Sequence, residues 1–240
     1  LASYERTVEI DPNDDETWYN RGVALGELGR LEEALASYDR AIEIKPDYDS
    51  AWYNRGNTLF DLGRLEEALA SYEGAIEINP GDDRAWFNRI EVIFKQNNWD
   101  KGFKDLDIGL NHFAKGEEFY PGDIAAYLQI IWDSTTDIKV WQSRLQTLVA
   151  IYDKHQVVST VGKGIVAHIP NLMSDLVSDK LARAWLEIWQ EIAEDKSELT
   201  IALRLLKTAV EYKEKKGDRK ILLRLAKEER EILEPLIKKQ

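Results

Sequence analysis

The sequence predicts an all-α chain in which helical hairpins stack into a solenoid and a further run of helices follows. Three observations carry this. The segment DETWYNRGVALGELGRLEEALASYDRAIEIKP (15–46) returns 34 residues later as DSAWYNRGNTLFDLGRLEEALASYEGAIEINP (49–80), and 23 of 34 positions are identical between 15–48 and 49–82. Within each copy the apolar residues recur at helical period. No useful length of sequence alternates apolar and polar residues as a strand would.

The elements follow in order. LASYERTVEIDP (1–12) matches LASYDRAIEIKP (35–46), so residues 1–14 read as the second half of a repeat. Full repeats span 15–48 and 49–82, and a divergent one spans 83–116. With Asp15, Asp49 and Asp83 as position 1, each aspartate is placed to cap the amides that open the first helix, helix A. Position 4 is Trp18, Trp52 and Trp86. Position 8 is Gly22 and Gly56, where a missing side chain lets two helices approach, but Ile90 in the third copy. In the second helix, helix B, Ala34, Leu35, Tyr38, Ala41 and Ile42 form one apolar stripe. Position 20 is Ala34, Ala68 and Gly102; position 24 is Tyr38, Tyr72 and Leu106. Pro46 and Pro80 at position 32 end helix B and set the turn onward, with Ala114 third. The third copy therefore keeps helix A and drifts in helix B. A single hairpin buries little, so the hairpins must stack.

These residues and the 34-residue period resemble the tetratricopeptide repeat family over about residues 1–114. The resemblance implies a right-handed α-α superhelix over 1–116; residues 117–240, outside the resemblance, read as a separate helical extension that caps it. It also implies a concave groove lined by the helix A face opposite positions 4, 7, 8 and 11. That face holds positions 2, 6, 9 and 13, with 5 and 12 beside them. It carries Glu16, Tyr19, Asn20, Val23 and Glu27, then Ser50, Tyr53, Asn54, Asn57 and Asp61, then Arg84, Phe87, Asn88, Glu91 and Lys95.

Position 6 is asparagine in all three copies, Asn20, Asn54 and Asn88. A carboxamide donates and accepts, matching a peptide unit, so a row of them can hold an extended main chain. This resembles the asparagine ladder of some tetratricopeptide proteins. Flanking Tyr19, Tyr53 and Phe87 offer rigid aromatic contacts. The candidate peptide-binding set is Tyr19, Asn20, Tyr53, Asn54, Asn57, Asp61, Phe87 and Asn88. The family's clamp for a terminal carboxylate wants cations at positions 2, 5 and 6. Here Glu16, Ser50, Tyr19 and Tyr53 stand in those places and only Asn20, Asn54, Asn57 and Arg84 fit, so an acidic C-terminus is a poor ligand.

Charge points the same way. The net charge of −12 is concentrated early: residues 1–120 carry 26 acids against 13 bases, and the remainder 18 against 19. Such a field repels nucleic acid and anionic membranes and favours neutral or basic polypeptide. The absence of cysteine suits a reducing, cytoplasmic setting. The N-terminus does not read as a signal peptide. A first residue Leu1 reads as a fragment of a larger polypeptide.

Beyond residue 114 the register fails, yet helices are expected at about 121–133, 137–154, 156–168, 171–177, 179–194, 197–215 and 218–237, punctuated by Gly122, Pro170 and Gly217. Leu181, Trp185, Ile188, Trp189 and Ile192 make one apolar face. Catalytic and cofactor signals are weak. His112, His155 and His168 lack metal spacing, no GxSxG occurs, and VSTVGKG (158–164) has Val157 where a phosphate loop needs glycine. The expectation is a non-enzymatic scaffold, without cofactor or metal, that binds a peptide of a protein partner. A structural spacer or self-association array, its groove filled by its own C-terminal helices, is the alternative.

Overall fold

The computed structural model describes residues 1–112, 121–174, 177–193 and 196–237. Those residues form thirteen α-helices and two short 3-10 turns, with no strand among them. The chain divides into two compact units, Leu1–Lys115 and Gly116–Gln240. The expected boundary at 116/117 and Ala114 lie outside the described residues.

The first unit comprises α1 (Ala2–Ile10), α2 (Asp15–Glu27), α3 (Leu31–Ile44), α4 (Asp49–Asp61), α5 (Leu65–Ile78), α6 (Asp83–Lys95) and α7 (Trp99–His112). Each helix packs on the next, and the first helices of successive repeats, α2, α4 and α6, also touch. Gly29 and Gly63 turn the chain inside each hairpin with φ of 71° and 73°, and Asn97 does so in the third with φ of 58°. Left-handed backbone costs glycine least and asparagine next, so the drift to Asn97 preserves the turn.

Between repeats, a second device recurs. The indoles of Trp18, Trp52 and Trp86 donate to the carbonyls of Pro12, Pro46 and Pro80 at 3.0, 2.9 and 3.0 Å. Proline supplies no N–H here, but its free carbonyl fastens helix A to the turn before it. Helix starts differ from expectation. The caps lie one residue earlier, with Asp14 accepting from the Thr17 amide and Asp82 from the Arg84 amide. Asp15 and Asp83 are already helical, and in the middle repeat Tyr48 holds the cap position without a side-chain bond. The doublets Asp14–Asp15 and Asp82–Asp83 hide this in the sequence, because only the first of each pair has the extended backbone a cap needs.

Core packing explains the glycines. A Cβ on Gly22 would lie 2.6 Å from the Tyr38 ring, and one on Gly56 2.5 Å from Tyr72. In the third repeat the pair is exchanged: Ile90 fills position 8, fully buried, opposite Leu106 at position 24. A glycine reappears at Gly102, where a Cβ would collide with the Phe94 ring. Position 7 is bonded in every copy. Arg21 and Arg55 donate to Ser37 and Ser71 at 2.6 Å each, and Arg89 pairs with Asp105 at 3.3 Å.

The second unit comprises α8 (Pro121–Asp133), α9 (Ile138–Lys154), α10 (Val158–Met173), α11 (Asp179–Ile192), α12 (Thr200–Glu214) and α13 (Lys227–Ile237). Helix α10 packs on α8, α9, α12 and α13, and α11 on α9 and α12. At its centre Trp132 stacks on Trp141 at 4.7 Å, and both meet the edge of Trp185 at 5.2 and 5.3 Å. The expected break at Pro170 does not occur, because α10 continues through it to Met173. Proline in a helix costs about 3 kcal/mol, whereas burying Ile169, Leu172 and Met173 returns roughly 1.5–3 kcal/mol each. The expected helix 218–237 starts only at Lys227. Ahead of it, Asp218 accepts from the Lys220 amide and holds a tight turn. Gly162 and Gly164 lie buried inside α10, and a Cβ on Gly164 would enter the Ile124 side chain, so the GKG segment is a close helix contact. Among the described residues no helix is long and apolar enough to cross a membrane, and no cluster of side chains is arranged to hold a metal.

Candidate peptide-binding groove

The candidate residues sit on α2, α4 and α6. The pitch of each helix places positions 6, 9 and 13 on one face, and the contacts among α2, α4 and α6 bring successive faces together. Asn57, Phe60, Asp61, Tyr72, Asn88 and Glu91 enclose a concavity of about 280 Å³. Three of the eight expected residues, Asn57, Asp61 and Asn88, meet here.

A hydrogen-bond chain organises the site. The Tyr72 hydroxyl donates to Asn57 Oδ1 at 2.9 Å, and Asn88 Nδ2 donates to the same oxygen at 2.8 Å. Asn88 Nδ2 also reaches the Tyr53 hydroxyl at 3.3 Å, as Asn54 Nδ2 reaches the Tyr19 hydroxyl at 3.0 Å one repeat earlier. Each asparagine therefore leans on the tyrosine of the preceding repeat. Burial, with the neighbouring Tyr53 adding to it, pushes the Tyr72 hydroxyl well above its ordinary pKa. It stays protonated at neutral pH and remains a donor. Asn57 Oδ1 is then saturated, while Asn57 Nδ2 and Asn88 Oδ1 are left with donor and acceptor capacity.

The expected row of three equivalent asparagines is thus reshaped. Asn54 and Asn88 commit their amide nitrogens inside the protein, and Asn20 is half-buried apart from this network. Tyr19 and Tyr53 are partly structural. They pack on the cores around Tyr38 and Tyr72, and Tyr19 lies 5.0 Å from the Tyr48 ring. Tyr48, half-buried there, has its pKa pushed up to about 12 by desolvation first and by Tyr19 next. Phe87 corrects the expectation outright: it is 2% exposed and presents no surface to a ligand. Without a hydroxyl, nothing holds the edge of its ring at the water boundary as in Tyr19 and Tyr53.

Phe60 and Tyr72 were missed by the sequence reading. Phe60 occupies position 12, flanking the groove face, where repeat one has Gly26. That aromatic-for-glycine difference was the available signal. Glu91 and Lys95 stand at groove positions and interact with each other: Lys95 Nζ lies 3.1 Å from Glu91 Oε1 and 4.5 Å from the Phe60 ring centroid. Arg84 lies over Tyr53 at 4.8 Å, and its guanidinium, hydrogen-bonded to Asp82, is held above the ordinary arginine pKa.

Comparison with known proteins agrees with the repeat architecture. A family model for tetratricopeptide repeats matches residues 1–49, 19–83 and 53–107. No curated protein matches the sequence. Among solved structures, YrrB, described as a TPR protein with an unusual peptide-binding site, is similar at 17% identity and a TM-score of 0.49, covering 85% of this chain and 97% of YrrB. A MamA RS-1 double mutant is similar at 18% identity and a TM-score of 0.49, over 63% of this chain and 82% of its own. On the family match, residues 1–107 of this chain carry tetratricopeptide repeats, and the residues beyond them have no family assigned.

Proposed function

We propose that this protein-interaction scaffold holds an extended peptide segment of a partner protein along α2, α4 and α6, gripped chiefly between Asn57 and Asn88. The observation that carries the reading is the spare hydrogen-bonding pair at Asn57 Nδ2 and Asn88 Oδ1, set in a concavity of about 280 Å³. One donor and one acceptor on adjacent repeats match one peptide unit of a passing chain. The partner segment is neutral or basic, because the acidic excess of the first 120 residues opposes an acidic one.

The experiment is selection of octapeptides from a random displayed library on the full chain, with affinities read by fluorescence anisotropy. Asn57→Ala and Asn88→Ala are expected to weaken selected peptides by about tenfold each, near 1.4 kcal/mol. Asn20→Ala is expected to change little. Unaltered affinity in both Asn57→Ala and Asn88→Ala, with folding intact by circular dichroism, removes this groove from consideration.

A further inference from the structure

We propose that the concavity between repeats two and three is a receptor for a single lysine or arginine side chain of the bound segment, an assignment that rests on the groove reading above. The protein displays the required chemistry with a cation of its own. Lys95 Nζ lies 4.5 Å from the centre of the Phe60 ring and 3.1 Å from Glu91 Oε1. An ammonium in this place meets the negative face of an aromatic ring and a carboxylate together.

Lys95 is loosely held beside two of the lining residues, Phe60 and Glu91. It pairs with Glu91 along one helix surface, and its side chain is 41% exposed. Exposed pairs of this kind contribute little, so the lysine can swing into water at small cost. Asp61, exposed on α4, brings a second carboxylate to the same concavity and forms no ion pair among the described residues. Of these two carboxylates only Glu91 is paired with an ammonium, that of Lys95. An incoming side chain that is cationic and long enough to lie along Phe60 satisfies Asp61 as well as Glu91. Beside it, Asn57 and Asn88 remain available to the main chain that carries the side chain.

Among the described residues of the first unit this combination occurs once. Its counterpart one repeat earlier has Val23 in place of Asn57, Gly26 in place of Phe60 and Asn57 in place of Glu91. That location lacks both the aromatic face and one of the two acids. A single basic anchor fixes the register of an otherwise sequence-tolerant main chain.

The test is nuclear magnetic resonance titration of the full chain with Nα-acetyl-lysine N-methylamide. Nα-acetyl-norleucine N-methylamide serves as the uncharged match of similar length, and the side-chain amides of Asn57 and Asn88 are the reporters. Saturable shifts are expected with the lysine compound only. Lys95→Met is expected to tighten it several-fold by freeing Glu91 and the Phe60 ring, and Asp61→Asn or Glu91→Gln to weaken it several-fold. Equal response to the norleucine compound, or unchanged affinity in Lys95→Met, overturns the assignment. Octapeptides that depend on Asn57 and Asn88 yet carry no basic residue at a fixed place would remove this receptor while leaving the groove standing. Failure to recover any such octapeptide would instead count against the groove itself.

Discussion

Asn88 of α6 gives its side-chain amide to Asn57 Oδ1 of α4, 2.8 Å away and one repeat earlier. The same oxygen accepts the Tyr72 hydroxyl, whose side chain is 1% exposed. The two partners are therefore unequal. Asn88→Ala removes one donor and is expected to destabilise the fold by about 1 kcal/mol. Asn57→Ala strands a buried hydroxyl as well and is expected to cost about 2–3 kcal/mol. Urea denaturation of the two variants and their double mutant checks the order and the coupling.

Gly22 and Tyr38 make a second pair with a built-in comparison. Gly22→Ile forces a branched side chain into the Tyr38 ring, since even a Cβ would lie 2.6 Å from it. A loss of about 3 kcal/mol or more is expected. Tyr38→Leu alone leaves a hole and is expected to cost about 2 kcal/mol or more. Together they recreate Ile90 and Leu106 of the third repeat, so the double variant is expected to be markedly more stable than the sum. Strict additivity in thermal melts would contradict the exchange.

Acid is expected to weaken the second unit through His168. Its ring is 1% exposed beside Trp185 at 5.7 Å, and desolvation lowers its pKa from 6.5 to about 4. A depressed histidine pKa means the unfolded chain binds the proton more tightly. Stability is then complete above pH 6.5 and lost as pH falls toward 4. Between pH 7.5 and 5.5 the loss is about 1 kcal/mol. His168→Phe is expected to flatten this slope, read by tryptophan fluorescence during urea titration at each pH.

Alkali acts on the first unit with the opposite sign. Burial is the leading cause that raises the pKa of Tyr38 and Tyr72 above the ordinary value of 10.0. Their contribution is intact below that value and is lost as pH rises beyond it, because the unfolded chain gives up these protons first. Absorbance at the tyrosinate band is expected to rise in two stages. Tyr38 and Tyr72 ionise in the later stage, only as helicity collapses. A single early stage with helicity retained would contradict the burial.

The repeat was legible because its signal is covalent spacing: 34 residues, with Trp, Gly, Tyr and Pro at fixed places. Helix α7 was harder to read because its pattern changed in compensating pairs, and neither Ile90 nor Gly102 announces its partner in one dimension. In the second half, α10 ran on through Pro170 because packing against four helices outweighed a local rule, and packing is not written in spacing. At the site, helical periodicity brought Asn57, Asp61 and Asn88 to one face. It did not show that Asn54 and Asn88 would be tied to tyrosine hydroxyls, or that Phe87 would sink. Those outcomes depend on distances between repeats, where a single hydroxyl decides whether a ring stays at the surface.

The indole-to-proline tie, repeated from Trp18 to Trp52 to Trp86, makes the first unit a chain of interchangeable parts. Residues 49–82 carry both halves of every coupling: a tryptophan for the turn behind, a proline for the indole ahead, a tyrosine to support the next asparagine. A further copy spliced after residue 82 would find each socket already cut. The array can grow by duplication at that seam, with each added copy lengthening the helix A face and leaving the concavity against α6 at its far end.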